Sequence, residues 1–226
     1  MKVGKYIKPK VKEIVPKVFV VTYDNQYDLC MAFVRIQEFY ESPKFKGKYF
    51  ALEEFIEYWA KEHGHGSFDY TARWNGFNIS GRVIKNWVKV FNEFETPEEM
   101  RDAECYLLDE IEKIKDVNGY EYEDIYVIGV HASQGKKMMD EAIEHELAHA
   151  LYCLHPEYKK SCDALFKKLS KKRYGVISKT LIKMGYGKNV LEDEIQAYLS
   201  TGDDDIKQLK GDKRFAKNFK KFKGLV

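Results

Sequence analysis

The chain has 226 residues, 44% hydrophobic and 33% charged, with 38 basic and 36 acidic side chains giving a net charge of +2. That composition can bury a sizeable core, and the near balance of charge gives no global pull toward nucleic acid. Four scattered cysteines without C-x-x-C spacing argue against a disulfide framework, and no apolar run approaches the length of a membrane helix, so a cytoplasmic protein without membrane contact is expected.

Residues 1–16 are basic and lack an apolar stretch, which reads as an N-terminal tail. Val18–Thr22 is a β-branched run and hence a strand. Leu29–Tyr40 repeats apolar residues at helical spacing as far as Ser42-Pro43, where the residue before proline is pushed out of the helical region. A second helix over Ala51–Glu62 places Leu52, Phe55, Ile56 and Trp59 on one face and is closed by Gly64 and Gly66. The aromatic-rich stretch Phe68–Ile79 follows, with a turn at Asn75-Gly76. Val83, Ile84, Trp87, Val88 and Phe91 mark a third helix. Thr96-Pro97-Glu98-Glu99 offers an N-cap, a proline at the first helical position and a capping carboxylate for a fourth, reaching Asp116.

Ile125–Val130 is a strand of buried or edge type directly before the next helix. In such a layout it can rim a cleft and take up an extended peptide by strand addition. Beyond Pro156, helices are expected over 157–169, over 176–184 and from Asn189 onward. Residues 203–226 carry Lys213, Arg214, Lys217, Lys220, Lys221 and Lys223, with Phe215, Phe219 and Phe222 at helical spacing. This is a basic amphipathic tail, read as docking its phenylalanines and leaving its lysines in water. The fold class expected is α+β: one mostly helical unit over 17–202 with a small sheet, an N-terminal part 17–95 and a metal-site part 96–202.

The most informative stretch is His145-Glu146-Leu147-Ala148-His149. Residues four apart on a helix lie about 40° from each other and one turn apart, so both imidazoles can reach one metal ion. Glu146 points about 100° away, well placed to exchange a proton with a metal-bound water and poorly placed to ligate the metal itself. With this composition, chance produces the pattern about 0.015 times per chain. Met138, Ala142, His145, His149 and Tyr152 form one 3-4 series, and Met139, Ile143, Leu147, Leu151 and Leu154 another, so the helix is expected to be buried. Buried imidazoles beside a buried carboxylate need partners, and a divalent cation supplies one.

A catalytic zinc ion takes three protein ligands. Glu194 is the best third, because it alone among the carboxylates of Leu191–Tyr198 shares a helical stripe with Val190, Leu191, Ile195 and Tyr198. Glu192 and Asp193 point about 200° and 100° away, toward solvent. His155 is the rival, at the spacing of HExxHxxGxxH, with Met184-Gly185-Tyr186 as a candidate methionine turn. Tyr152 replaces the glycine that lets that chain leave its helix.

With these residues in view, the chain resembles the gluzincin metallopeptidases, in which an HExxH helix is followed by a helix bearing a zinc-binding glutamate. Glu194-Ile195-Gln196-Ala197 looks like that second element. The resemblance covers about residues 122–202. It implies a zincin-like fold, Zn2+ as cofactor, His145, His149 and Glu194 as ligands, Glu146 as general base and proton shuttle, and a peptide or protein as substrate. The aspartate often found four residues after the glutamate, which orients a ligand histidine, is Tyr198 here, and its phenol could hydrogen-bond in that place. Upstream segments such as Gln37–Pro43, Phe50–Phe55 and Trp74–Asn78 are similar to a scattered family of HExxH-bearing proteins without an established activity. The function expected is a zinc-dependent hydrolase acting on peptides. The alternative is a catalytically inactive or structural zinc protein whose tail binds a partner. His63-Gly64-His65, two apart at a helix end, reads as surface; Tyr152, Tyr198, Tyr126 and His131 are candidate oxyanion donors by residue type only.

Overall fold

The computed structural model describes residues 8–94, 100–184, 186–203 and 205–224, and over them the architecture is α+β. The chain divides into two units, residues 1–139 and 140–226. The division falls inside the helix that carries His145 and His149.

The first unit is built on β1 (Lys10–Val15), β2 (Val18–Tyr23), β3 (Gly76–Ser80) and β4 (Tyr126–His131), in the order β1-β2-β4-β3. β2 and β4 run parallel, with Val18 opposite Tyr126, and the two outer strands pair antiparallel to them. Every residue of β4 is buried, as its unbroken apolar run requires of a strand covered on both faces. Because β4 has β2 on one side and β3 on the other, both rows of its backbone groups are already paired. It therefore cannot receive an added strand, contrary to the expectation above; the open edges belong to β1 and β3.

β1 occupies residues assigned above to a basic tail. Lys10, Lys12 and Glu13 are exposed on an edge strand, where charge guards against unwanted pairing, so lysine content conceals it. The hairpin to β2 turns through Pro16-Lys17, with Lys17 at φ 71 and its N–H donated to Glu13 Oε1 at 2.8 Å.

α1 (Gln26–Glu41), started by the Asn25 side chain accepting the N–H of Asp28, lies against this sheet. Gly129 of β4 permits the approach: a Cβ there would meet the Phe33 ring at 2.7 Å. Phe33 in turn stacks on Phe77 of β3, with ring centroids 5.5 Å apart. α2 (Leu52–Glu62) buries Leu52, Phe55 and Trp59. α3 (Gly81–Glu93) and α4 (Asp102–Asn118) complete the unit. Arg35 of α1 and Glu104 of α4, each 1% exposed, form a two-pronged ion pair with Nε to Oε1 at 2.6 Å. The guanidinium sits over Trp87 and Phe91 of α3. Glu104 also accepts the N–H of Arg101 at 3.0 Å, so α4 starts at Asp102. The cap expected at Thr96–Glu99 lies outside the described residues.

α5 (Lys136–Leu154) enters the second unit, followed by α6 (Pro156–Phe166), α7 (Lys171–Met184), α8 (Leu191–Thr201) and α9 (Lys213–Lys223). The burial expected along all of α5 holds only from Glu146 to Tyr152. Its first half carries Lys136, Lys137, Asp140, Glu141 and Glu144, and Met138 is 49% exposed. α9 is the docked helix read from the phenylalanine stripe: Phe215 and Phe219 are buried, Phe166 meets Phe215 at 5.4 Å, and Tyr158 meets Phe222 at 5.3 Å. Asp212 caps it by accepting the Arg214 N–H at 2.9 Å. Among the described residues, no helix is long and apolar enough to cross a membrane.

Candidate metal centre

α5 and α8 pack so that His145, His149 and Glu194 bring one ligand atom each within 4.8 Å of one another. The i, i+4 spacing on α5 stacks the two imidazoles, and the apolar stripe of α8 turns Glu194, 6% exposed, inward. The Nε2 atoms of the two histidines are 3.4 Å apart, and His149 Nε2 lies 3.7 Å from Glu194 Oε2. Tetrahedral ligands at zinc bond lengths sit about 3.4 Å from each other, so these two separations are close to coordination spacing.

Hydrogen-bond polarity fixes which ring atoms are available. Thr201 Oγ1 donates its one hydrogen to Ala197 O at 2.9 Å, so toward His145 Nδ1, 3.3 Å away, it can only accept. His145 therefore carries its hydrogen on Nδ1. His149 Nδ1 meets the carboxylate oxygen Asp193 Oδ1 at 2.9 Å, which likewise demands Nδ1–H. The Nε2 atom of each ring is left to face the other and Glu194. That donor set, two imidazole nitrogens and a carboxylate, suits zinc once His149 has given up its proton.

Electrostatics separate the two histidines. Burial and then the neighbouring His149 charge push His145 down to about 3, so it is neutral throughout the physiological range. Burial also acts to lower His149, yet Asp193, Glu194 and Glu146 outweigh it and hold the group well above its ordinary value. Glu146, 9% exposed, is near enough to add to that rise.

Two phenols border the cluster. The Tyr198 ring packs on His145 with centroids 4.5 Å apart, and the Tyr186 hydroxyl lies 3.4 Å from that of Tyr198. Burial, with Glu194 and Glu146 among the further causes, raises both, Tyr198 to about 12, so both stay protonated donors at neutral pH.

Asp193 is the main departure from the sequence reading: expected in solvent, it orients His149. Tyr198 does not replace it but packs edge-on against the other histidine. Tyr186 was named only within the candidate methionine turn, not as a neighbour of the site. His155 caps α6 and stands outside the ligand group. His63 and His65 are exposed in the first unit, with the His63 ring packed against Trp59 at 4.9 Å. Of the other oxyanion candidates, Tyr152 turns to Asp163 at 3.5 Å, Tyr126 bonds Asn78, and His131 bonds Ser133 at 2.7 Å. Among protein-family models, curated proteins and solved structures, none matches this chain.

Proposed function

We propose that the chain is a zinc-dependent hydrolase of gluzincin-like form whose substrates are peptides. The observation that carries this reading is the convergence of both Nε2 atoms and the Glu194 carboxylate within 4.8 Å of one another, with the buried Glu146 next to His145 in the chain. Zinc bound there supplies Lewis acidity and lowers the pKa of a water molecule to about 7.

The chain's own residues then have distinct tasks. Asp193 and Thr201 hold the two imidazoles in the Nδ1–H form, so neither ring can turn its lone pair away. Glu146 takes a proton from the water that attacks the carbonyl carbon and returns it to the nitrogen as the C–N bond breaks. Tyr186 and Tyr198, kept protonated, offer O–H donors to the carbonyl oxygen as it gains charge.

The test is metal analysis of the purified chain together with hydrolysis of an unstructured peptide mixture, read by mass spectrometry. One zinc per chain and cleavage that disappears in Glu146→Gln, while the zinc stays, are expected. Cleavage that persists undiminished in Glu146→Gln refutes the reading.

A further inference from the structure

Gln196 is fully buried, in a segment where a polar side chain needs every partner accounted for. Its Nε2 lies 3.1 Å from Ala148 O and 3.0 Å from Asp193 Oδ1, and its Oε1 accepts the Tyr158 hydroxyl at 2.9 Å. Ala148 sits between the two histidines of the motif, and its backbone carbonyl can only accept. That carbonyl therefore decides which end of the carboxamide faces α5: the NH2 end. The second hydrogen of the same nitrogen then goes to Asp193 Oδ1, the oxygen that also receives His149 Nδ1–H.

The direction of every bond in the chain follows. Tyr158 gives its hydrogen to Gln196, so Ser200, 3.2 Å from the phenol oxygen, donates to Tyr158. Ser200, Tyr158, Gln196 and Asp193 form a one-way series of donors that ends on a carboxylate, and His149 approaches that carboxylate from the opposite side. An Asp193 oxygen accepting from an amide and from an imidazole at once has no role open to it except acceptor. The imidazole must then present Nε2 to the metal.

We infer that Gln196 is a positioning residue for the metal centre: read in orientation by the Ala148 carbonyl, it fixes Asp193 as an acceptor and through it the ring of His149. This rests on the zinc reading above and goes beyond it by assigning the residue that ties ligand orientation to the backbone of the motif. A glutamine that only filled space here would be replaceable by methionine, which has similar length and volume but no donor.

The experiment compares wild type with Gln196→Met and Tyr158→Phe in the full chain. Zinc affinity is measured by chelator competition, and exchange of the His149 Nδ1–H by 1H–15N NMR with and without zinc. Gln196→Met is expected to bind zinc about tenfold more weakly, as for loss of groups that orient a ligand, and to exchange the Nδ1 hydrogen faster. Tyr158→Phe, which keeps the carboxamide but frees its oxygen, shifts both in the same direction by about two- to threefold. Wild-type affinity and exchange in the folded variants overturn the inference, and if Gln196→Met does not fold, the same result in Tyr158→Phe alone overturns it. If wild type binds no zinc, the zinc reading falls by itself. The exchange comparison in zinc-free protein still decides the role of Gln196, because the Asp193–His149 bond exists without metal.

Discussion

The Nε2 atoms of His145 and His149 face each other at 3.4 Å while both Nδ1 hydrogens are committed to Thr201 and Asp193. Two lone pairs at that distance repel unless a cation or a proton stands between them. On the proposed zinc reading, zinc and a proton would compete for that one place, and the competition would set the pH behaviour of the centre.

His149 is held well above its ordinary value and His145 is pushed down to about 3, so in the range between those two pKa values one proton, not two, must leave for zinc to bind. Affinity should rise about tenfold per pH unit over that range and flatten only above the His149 pKa. Chelator competition at several pH values measures the slope. A slope near two, or none, contradicts the assignment of charge to the pair.

Asp193 and Glu192 are adjacent, yet they differ in consequence. Asp193→Asn removes the acceptor that orients His149 and should weaken zinc binding about 10- to 100-fold with the helical content preserved. Glu192 is exposed, and Glu192→Gln should leave affinity unchanged. Equal effects from the two would mean that net charge near the site, rather than ring orientation, governs binding.

In the first unit, Glu38 is pushed up to about 7 from 4.5, chiefly by burial, with the Glu41 charge adding and hydrogen bonds from Tyr70 and Ser42 opposing. A carboxyl with a raised folded pKa contributes full stability below its unfolded value and loses it as pH rises from about 4.5 through 7. Glu38→Gln cannot ionise, so it should stabilise the chain by about 1–3 kcal/mol at pH 8 and by little at pH 4. Urea titrations at the two pH values give the comparison; destabilisation at pH 8 contradicts it.

The Arg35–Glu104 pair calls for a different comparison. Removing one partner strands a buried charge, so Glu104→Ala should cost about 3–5 kcal/mol. Arg35→Met combined with Glu104→Leu should cost less than either single change, because no charge is left inside. A double variant as unstable as Glu104→Ala would show that the pair is worth more than the desolvation it requires.

What the sequence made legible was local or one-sided. The i, i+4 histidines follow from helix geometry alone, and Glu194 stood out as the only carboxylate on an apolar stripe. Asp193 was hidden because a helical wheel gives the angle about one axis and says nothing of what lies at that angle; here it is His149. β1 was hidden by its lysines, and β3, five residues long, by the Asn75-Gly76 turn signal before it, although Phe77 and Ile79 alternate inward. The internal position of β4 depended on the unrecognised β3. Without it, an unbroken apolar run could not be told apart from an edge.

α9 follows all three ligand positions in the chain, and it packs against α8, the helix that carries Glu194. Lys223, at the end of α9, pairs with Glu144, the residue before His145. A chain cut short before Asp212 would keep His145, His149 and Glu194 yet lack the helix that packs against the last of them.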